Sequence, residues 1–116
     1  GLPSAGINSD GPYEVESMPL DEIAGDISPT FIKMDIEGAE FDALSGCRAS
    51  IMKNLPVLAI SVYHRPDDLW RIPLLIRSFS SEYRFFLRPH NEEGWDLICY
   101  AVPCKRLKIT CSERHI

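Results

Sequence analysis

Phe31-Ile32-Lys33-Met34-Asp35-Ile36-Glu37-Gly38-Ala39-Glu40 decides how this chain is read. It opens as a short apolar run, reaches a carboxylate at Asp35, and turns at Gly38 into a helical pattern. A near-continuous apolar run bounded by turn residues predicts a strand buried on both faces, as in a parallel sheet. In an open α/β sheet, ligands bind at the carboxyl ends of the strands, which is where Asp35 falls. Glu37 and Glu40 lie in the first helical turn, where the helix dipole favours negative charge.

Downstream, the pattern predicts one helix over residues 39–53. Phe41, Leu44, Ile51 and Leu55 fall near one face, with Ala43 and Cys47 beside them. Gly46 inside that helix costs about 1 kcal/mol relative to Ala and is expected to mark a kink or a close approach to the sheet. Pro56 ends the helix. Val57-Leu58-Ala59-Ile60-Ser61-Val62-Tyr63 is the strongest strand signal in the chain. Strand, helix and strand in that order imply a parallel pair with a right-handed crossover. His64 then stands at the carboxyl end of the second strand, level with Asp35.

Asp67 and Asp68 are helix-cap candidates. Leu69, Ile72, Ile76 and Phe79 follow at helical spacing, with Pro73 placed in the first turn, where its missing N–H costs little. Residues 83–87 and 97–102 read as two further strands, joined by a loop short enough for antiparallel pairing. Upstream, residues 13–18 alternate as a half-buried edge strand. Leu20-Asp21-Glu22-Ile23 makes one helical turn.

The 116 residues suffice for one domain. Its parts are a flexible segment at 1–12, the folded unit at 13–103 and a frayed tail at 104–116. The net charge of −5 argues against a nucleic-acid partner. No apolar run approaches the roughly 20 residues of a membrane span, so no membrane partner is expected. Cys47, Cys99, Cys104 and Cys111 show no C-x-x-C spacing and read as reduced thiols of a cytoplasmic protein. A Cys104–Cys111 disulfide is the less favoured alternative.

Leu20-Asp21, the 31–40 run with its K-M-D-I-E-G-A-E core, Leu58-Ala-Ile-Ser-Val-Tyr-His64 and Asp68-Leu69 together resemble the FkbM family of S-adenosylmethionine-dependent methyltransferases. The resemblance spans residues 15–102. It implies an α/β fold: part of a Rossmann-like class I methyltransferase sheet, with a parallel strand–helix–strand followed by an antiparallel C-terminal strand pair. It assigns this chain the fourth to seventh strands and places the cofactor-binding half upstream. S-adenosylmethionine is therefore expected of the full-length family and not of this chain alone. Gly6 and Gly11 do not form the family's glycine-rich loop. The strand from Phe31 to Asp35 would then have an open edge through which the chain can form a homo-oligomer, unless residues 13–18 cover it.

The resemblance implies that Asp35 lies near the transferred methyl group; the alternative is that it only caps the following helix. His64, with an unperturbed pKa of about 6.5, suits a general base. These two are the catalytic candidates. Glu37, Glu40 and Tyr63 are candidates for binding a small-molecule acceptor, Glu40 by pointing into the cleft. Glu37 can also accept backbone N–H groups at the turn. Three acids can gather Mg²⁺, but no metal ligand is assigned. Many family members carry a glutamate where this chain has Ser61. Lys33 is expected to pair with an acid, Trp70 and Trp95 to pack, and His90 and His115 to lie on the surface. The function expected is O-methyl transfer to a hydroxyl of a sugar or secondary metabolite. The alternatives are a non-catalytic remnant or interaction module, and a different doubly wound binder sharing the D-x-E-G-x-E turn by chance.

Overall fold

The computed structural model describes residues 20–23, 27–90 and 96–107. The expected strand at 13–18, the glycines at 6 and 11, Trp95, Cys111 and His115 lie outside the described residues.

Helix α1 (Leu20–Ile23) is followed by strand β1 (Phe31–Met34), helices α2 (Glu40–Ser45) and α3 (Arg48–Asn54), and strand β2 (Val57–Ser61). Helix α4 (Asp68–Phe79), strands β3 (Tyr83–Pro89) and β4 (Leu97–Pro103), and a 3-10 turn (Cys104–Leu107) complete the order. The sheet order is β1-β2-β4-β3. β1 and β2 are parallel, with Met34 opposite Ile60. β2 pairs antiparallel with β4, and β4 with β3. The parallel pair and the antiparallel terminal pair are both as the sequence predicts. Among the described residues, β1 pairs with β2 alone.

Alternation decides the two sheet faces. Met34, Ile60 and Cys99 share one register row and point into the core, as do Leu58 and Ala101 one step away. They meet Leu44, Ile51, Ile72, Ile76 and Phe79 from α2, α3 and α4. Lys33, Ala59 and Tyr100 form the alternate row on the opposite face. Tyr83 is fully buried and its hydroxyl donates to the Pro56 carbonyl at 2.6 Å, so its polar end is satisfied inside the core.

Three local features depart from expectation. The helix predicted over 39–53 is two helices, broken at Gly46 and Cys47. The break frees a carbonyl and several amides, and α1 satisfies both kinds. The Asp21 N–H donates to Gly46 O at 3.0 Å. The Asp21 carboxylate accepts from the N–H groups of Ala49 and Ser50 at 2.8 and 2.9 Å. Cys47, at the N-cap position of α3, makes no side-chain cap bond, and Asp21 supplies that cap from a distance.

The second departure is Pro73, which stands in the second turn of α4 rather than the first and removes a donor that the Leu69 carbonyl would otherwise receive. Leu69 and Trp70 are also exposed, at 42% and 56%, where packing was expected. The third is the tail. Cys104 is buried in the 3-10 turn and disulfide-bonded, whereas Cys47 and Cys99 are free. The reading of four reduced thiols fails at Cys104, and the thiol argument for a cytoplasmic protein loses its basis. Among the described residues, no helix is long and apolar enough to cross a membrane.

Burial opposes ionisation of Asp21, but hydrogen bonds from Ser50 and Ala49 outweigh it and hold the carboxyl below its ordinary value. The folded pKa is depressed, so Asp21 contributes stability above its unfolded value and loses it as pH falls through the folded one. Asp21→Ala is expected to cost about 1 kcal/mol near neutrality. Urea unfolding of both proteins should show that gap closing in acid.

Candidate functional site

β1 ends at Met34, and the chain turns through Asp35-Ile36-Glu37-Gly38 into α2. Glu37 takes φ 58° and Gly38 φ 101°, both left-handed. Such a pair of residues aims successive amides at one point, a geometry that suits an anion. The anion here belongs to the chain. Glu40, fully buried, accepts the Ile36 N–H on Oε2 at 2.7 Å and the Gly38 N–H on Oε1 at 3.0 Å. Glu40 therefore holds the turn and does not point into a cleft. Glu37, expected to accept those amides, has its side chain 73% exposed. The two acids have exchanged their expected places.

The loop after β2 closes the site from the other side. Arg65 Nε–H donates to the Gly38 carbonyl at 2.7 Å. Its neighbour His64 turns inward among the acids, with a side chain only 10% exposed. Nε2 lies 3.4 Å from Asp35 Oδ1 and 3.6 Å from Glu37 Oε2. Nδ1 lies 3.1 Å from Glu40 Oε2, yet without the alignment of a hydrogen bond, and it has no hydrogen-bond partner. The sequence placed Asp35 and His64 level at adjacent strand ends, and here they meet.

Tyr63 stacks obliquely on His64, ring centroids 4.1 Å apart. Desolvation first, and then the charges of Asp35, Asp96 and Glu37, push its hydroxyl above the ordinary tyrosine value, so it stays a neutral donor. Beside it a cavity of about 310 Å³ is lined by Lys33, Asp35, Tyr63, Asp96 and Tyr100, with Ala59 and Ile98 on its apolar side. Asp35 and Tyr63 thus belong to both the acid–histidine cluster and the cavity wall. Among the described residues Lys33 makes no ion pair, contrary to expectation. His90 is exposed, as expected, and shares a 2.8 Å hydrogen bond with the Tyr100 hydroxyl.

Sequence reasoning missed two contributors. Arg65 carried no motif signal, because its partner is a backbone carbonyl. Asp68 was read as a cap, but it is fully buried with both carboxylate oxygens unpartnered. Burial first, then the nearby charges of Glu40 and Asp67, raise its pKa against the opposing pull of Arg71 and Arg65. Asp35, Glu40 and His64 each offer a donor atom within 4.8 Å of the others and are the described residues able to share a metal ion.

The family model for the methyltransferase FkbM domain matches residues 2–91, and the chain belongs to that family. The crystal structure at 2.20 Å of Methyltransferase FkbM from Methylobacillus flagellatus KT is similar, at 47% identity and a TM-score of 0.67. The match covers 72% of this chain and 22% of that one, so this chain corresponds to well under half of its relative's length. No curated protein matches it. The mixed α/β sheet, parallel at β1–β2 and antiparallel at its end, is part of the methyltransferase fold.

Two outcomes test this geometry. Glu40→Gln keeps one acceptor but turns an amide toward the other N–H, leaving buried polar groups unpaired, and is expected to cost about 1–3 kcal/mol in urea unfolding. Asp68 has a raised folded pKa, so its contribution is full below its unfolded value and lost as pH rises through the folded one. Asp68→Asn should therefore gain stability over the parent as pH rises from about 4 to 7; an unchanged difference would refute the account of Asp68.

Proposed function

We propose that this chain supplies the acceptor side of an S-adenosylmethionine-dependent O-methyltransferase. Two supports converge. The chain belongs to the FkbM methyltransferase family. His64 Nε2 stands 3.4 Å from Asp35 at the carboxyl ends of adjacent parallel strands, where open α/β sheets bind ligands. That juxtaposition carries the reading.

The cofactor supplies an electrophilic methyl group when bound. The described residues do not fit the cradle for its methionine and ribose. Their glycines are Gly38, whose amide is taken by Glu40, and Gly46, whose carbonyl is taken by Asp21. No step through the cofactor is therefore derived from them. Their own chemistry concerns the acceptor. His64 does not line that cavity but touches two residues that do, Asp35 and Tyr63, and an acceptor hydroxyl held at that edge is the group whose proton it would take. Asp35 and Glu37 at Nε2 stabilise the resulting imidazolium. The Tyr63 hydroxyl donates to an acceptor oxygen and helps to hold it in line. The cavity, with carboxylates, tyrosine hydroxyls and an apolar side, suits a hydroxylated ring such as a sugar or a secondary metabolite.

Methyl transfer from labelled S-adenosylmethionine to a panel of hydroxyl acceptors, by the whole protein that carries this chain, tests the reading. His64→Ala is expected to lower turnover about 10²- to 10⁴-fold, the range for losing a general base. Asp35→Asn should lower it by a smaller factor, with the pH profile displaced. Full activity in the His64 variant would remove the base from the proposal.

A further inference from the structure

We infer that Asp35, Glu40 and His64 form a three-donor site for a divalent first-row cation of the manganese or zinc type. Carboxylate oxygens and imidazole nitrogens bind such ions at about 2.0–2.2 Å, so two donors sharing an ion lie roughly 3–3.5 Å apart. His64 Nδ1 and Glu40 Oε2 are 3.1 Å apart, a spacing that one ion can bridge, while Asp35 Oδ1 lies 3.4 Å from the other ring nitrogen, Nε2, and joins as the third donor at a longer reach. One donor atom from each of the three residues lies within 4.8 Å of the others, and an ion so held takes the imidazole lone pair, so His64 serves as the proposed base only in the ion-free protein.

An acidic cluster alone does not make a site. The independent observation is the imidazole. Nine-tenths of the His64 side chain is buried, and Nδ1 faces the Glu40 carboxylate without hydrogen-bonding to it or to anything else. A buried nitrogen aimed at a carboxylate oxygen, and not bonded to it, calls for a third atom between them. Glu40 can provide for one. Its Oε2 accepts the Ile36 N–H and keeps a second lone pair.

Charge points the same way. Asp35, Glu37 and Glu40 gather at this end of the sheet. Arg65, the residue after His64, directs its Nε–H to a backbone carbonyl. The donor set selects the kind of ion. Calcium and magnesium prefer all-oxygen shells, whereas an imidazole with two carboxylates suits manganese or zinc. Asp35 is 52% exposed, so an ion held against the buried Glu40 keeps solvent-facing positions for water or an acceptor oxygen.

Manganese is the probe of choice, because zinc would also find the cysteines. Loss of the free Mn²⁺ electron paramagnetic resonance signal on titration with the protein should report one ion per chain. Asp35→Asn and His64→Gln should each weaken uptake at least about tenfold, the lower end of what even an outer-shell change costs. Glu22→Gln, on α1, should leave it unchanged. Asp35 is exposed, so its variant keeps the fold even if the His64 variant does not; circular dichroism verifies each. Absence of saturable uptake would overturn the inference. So would uptake equal in the parent and the Asp35 variant, which would mark scattered surface carboxylates. Neither result depends on methyl transfer.

Discussion

An ionised carboxylate is costly to bury unless its oxygens are hydrogen-bonded, and at Glu40 the chain satisfies both with its own backbone. The consequences spread outward. To bring the Ile36 and Gly38 amides onto one carboxylate, the turn adopts left-handed conformations at Glu37 and Gly38. For Glu37 this costs of the order of 1 kcal/mol, because it carries a Cβ. The strain is held by the hydrogen bonds and by Arg65, whose Nε would lie 3.3 Å from a Cβ placed on Gly38. What the turn gains is direction. Asp35 and Glu37 are thrown to the outer side, facing His64, while Glu40 stays beneath it.

Periodicity made the framework legible. The β2 run and the Ile72, Ile76, Phe79 stripe went where their spacing sent them; the run at 31–34 formed its strand but is not buried on both faces as expected, with Phe31 54% exposed and Lys33 exposed on the face opposite the core. The site was legible as far as strand ends go, which is why Asp35 and His64 were found together. It was not legible in the division of labour between Glu37 and Glu40. Both acids suit a helix first turn, and only the backbone conformation decides which one reaches the amides. The split of the helix at Gly46 was half visible as a propensity cost. Its outcome depended on α1, whose Asp21 makes a break worth more than a continuous helix by accepting amides 28 and 29 residues away. The thiol reading failed at Cys104 because the absence of a C-x-x-C spacing does not exclude a disulfide.

α4 continues the same economy of charge. Its first residue, Asp68, is buried beside Glu40, while Asp67 at the cap position is tied to Arg71 at 3.1 Å. Arg71 in turn lies over the Phe41 ring at 4.1 Å, fixing α4 against α2 just beyond the turn. An acid at a helix N-terminus is favoured by the dipole. An acid there with no hydrogen bond and a second carboxylate nearby is not, unless it keeps its proton. The raised pKa of Asp68 is the form that this conflict takes.

The meeting of His64 with the acids is finally a matter of strand register. Met34 stands opposite Ile60, and both are buried against the helices. A slip of one residue in β1 would turn Met34 outward and drive Lys33 into that core, a change no apolar layer tolerates. With Met34 fixed, Asp35 emerges one residue later, at the rim. With Ile60 fixed, the chain reaches His64 and Arg65 at the same level from the neighbouring strand. These two consecutive residues then serve opposite ends of one turn: the imidazole faces the carboxylates and the guanidinium holds the Gly38 carbonyl. The site is therefore positioned by the hydrophobic alternation of two strands whose inward residues are buried against the helices.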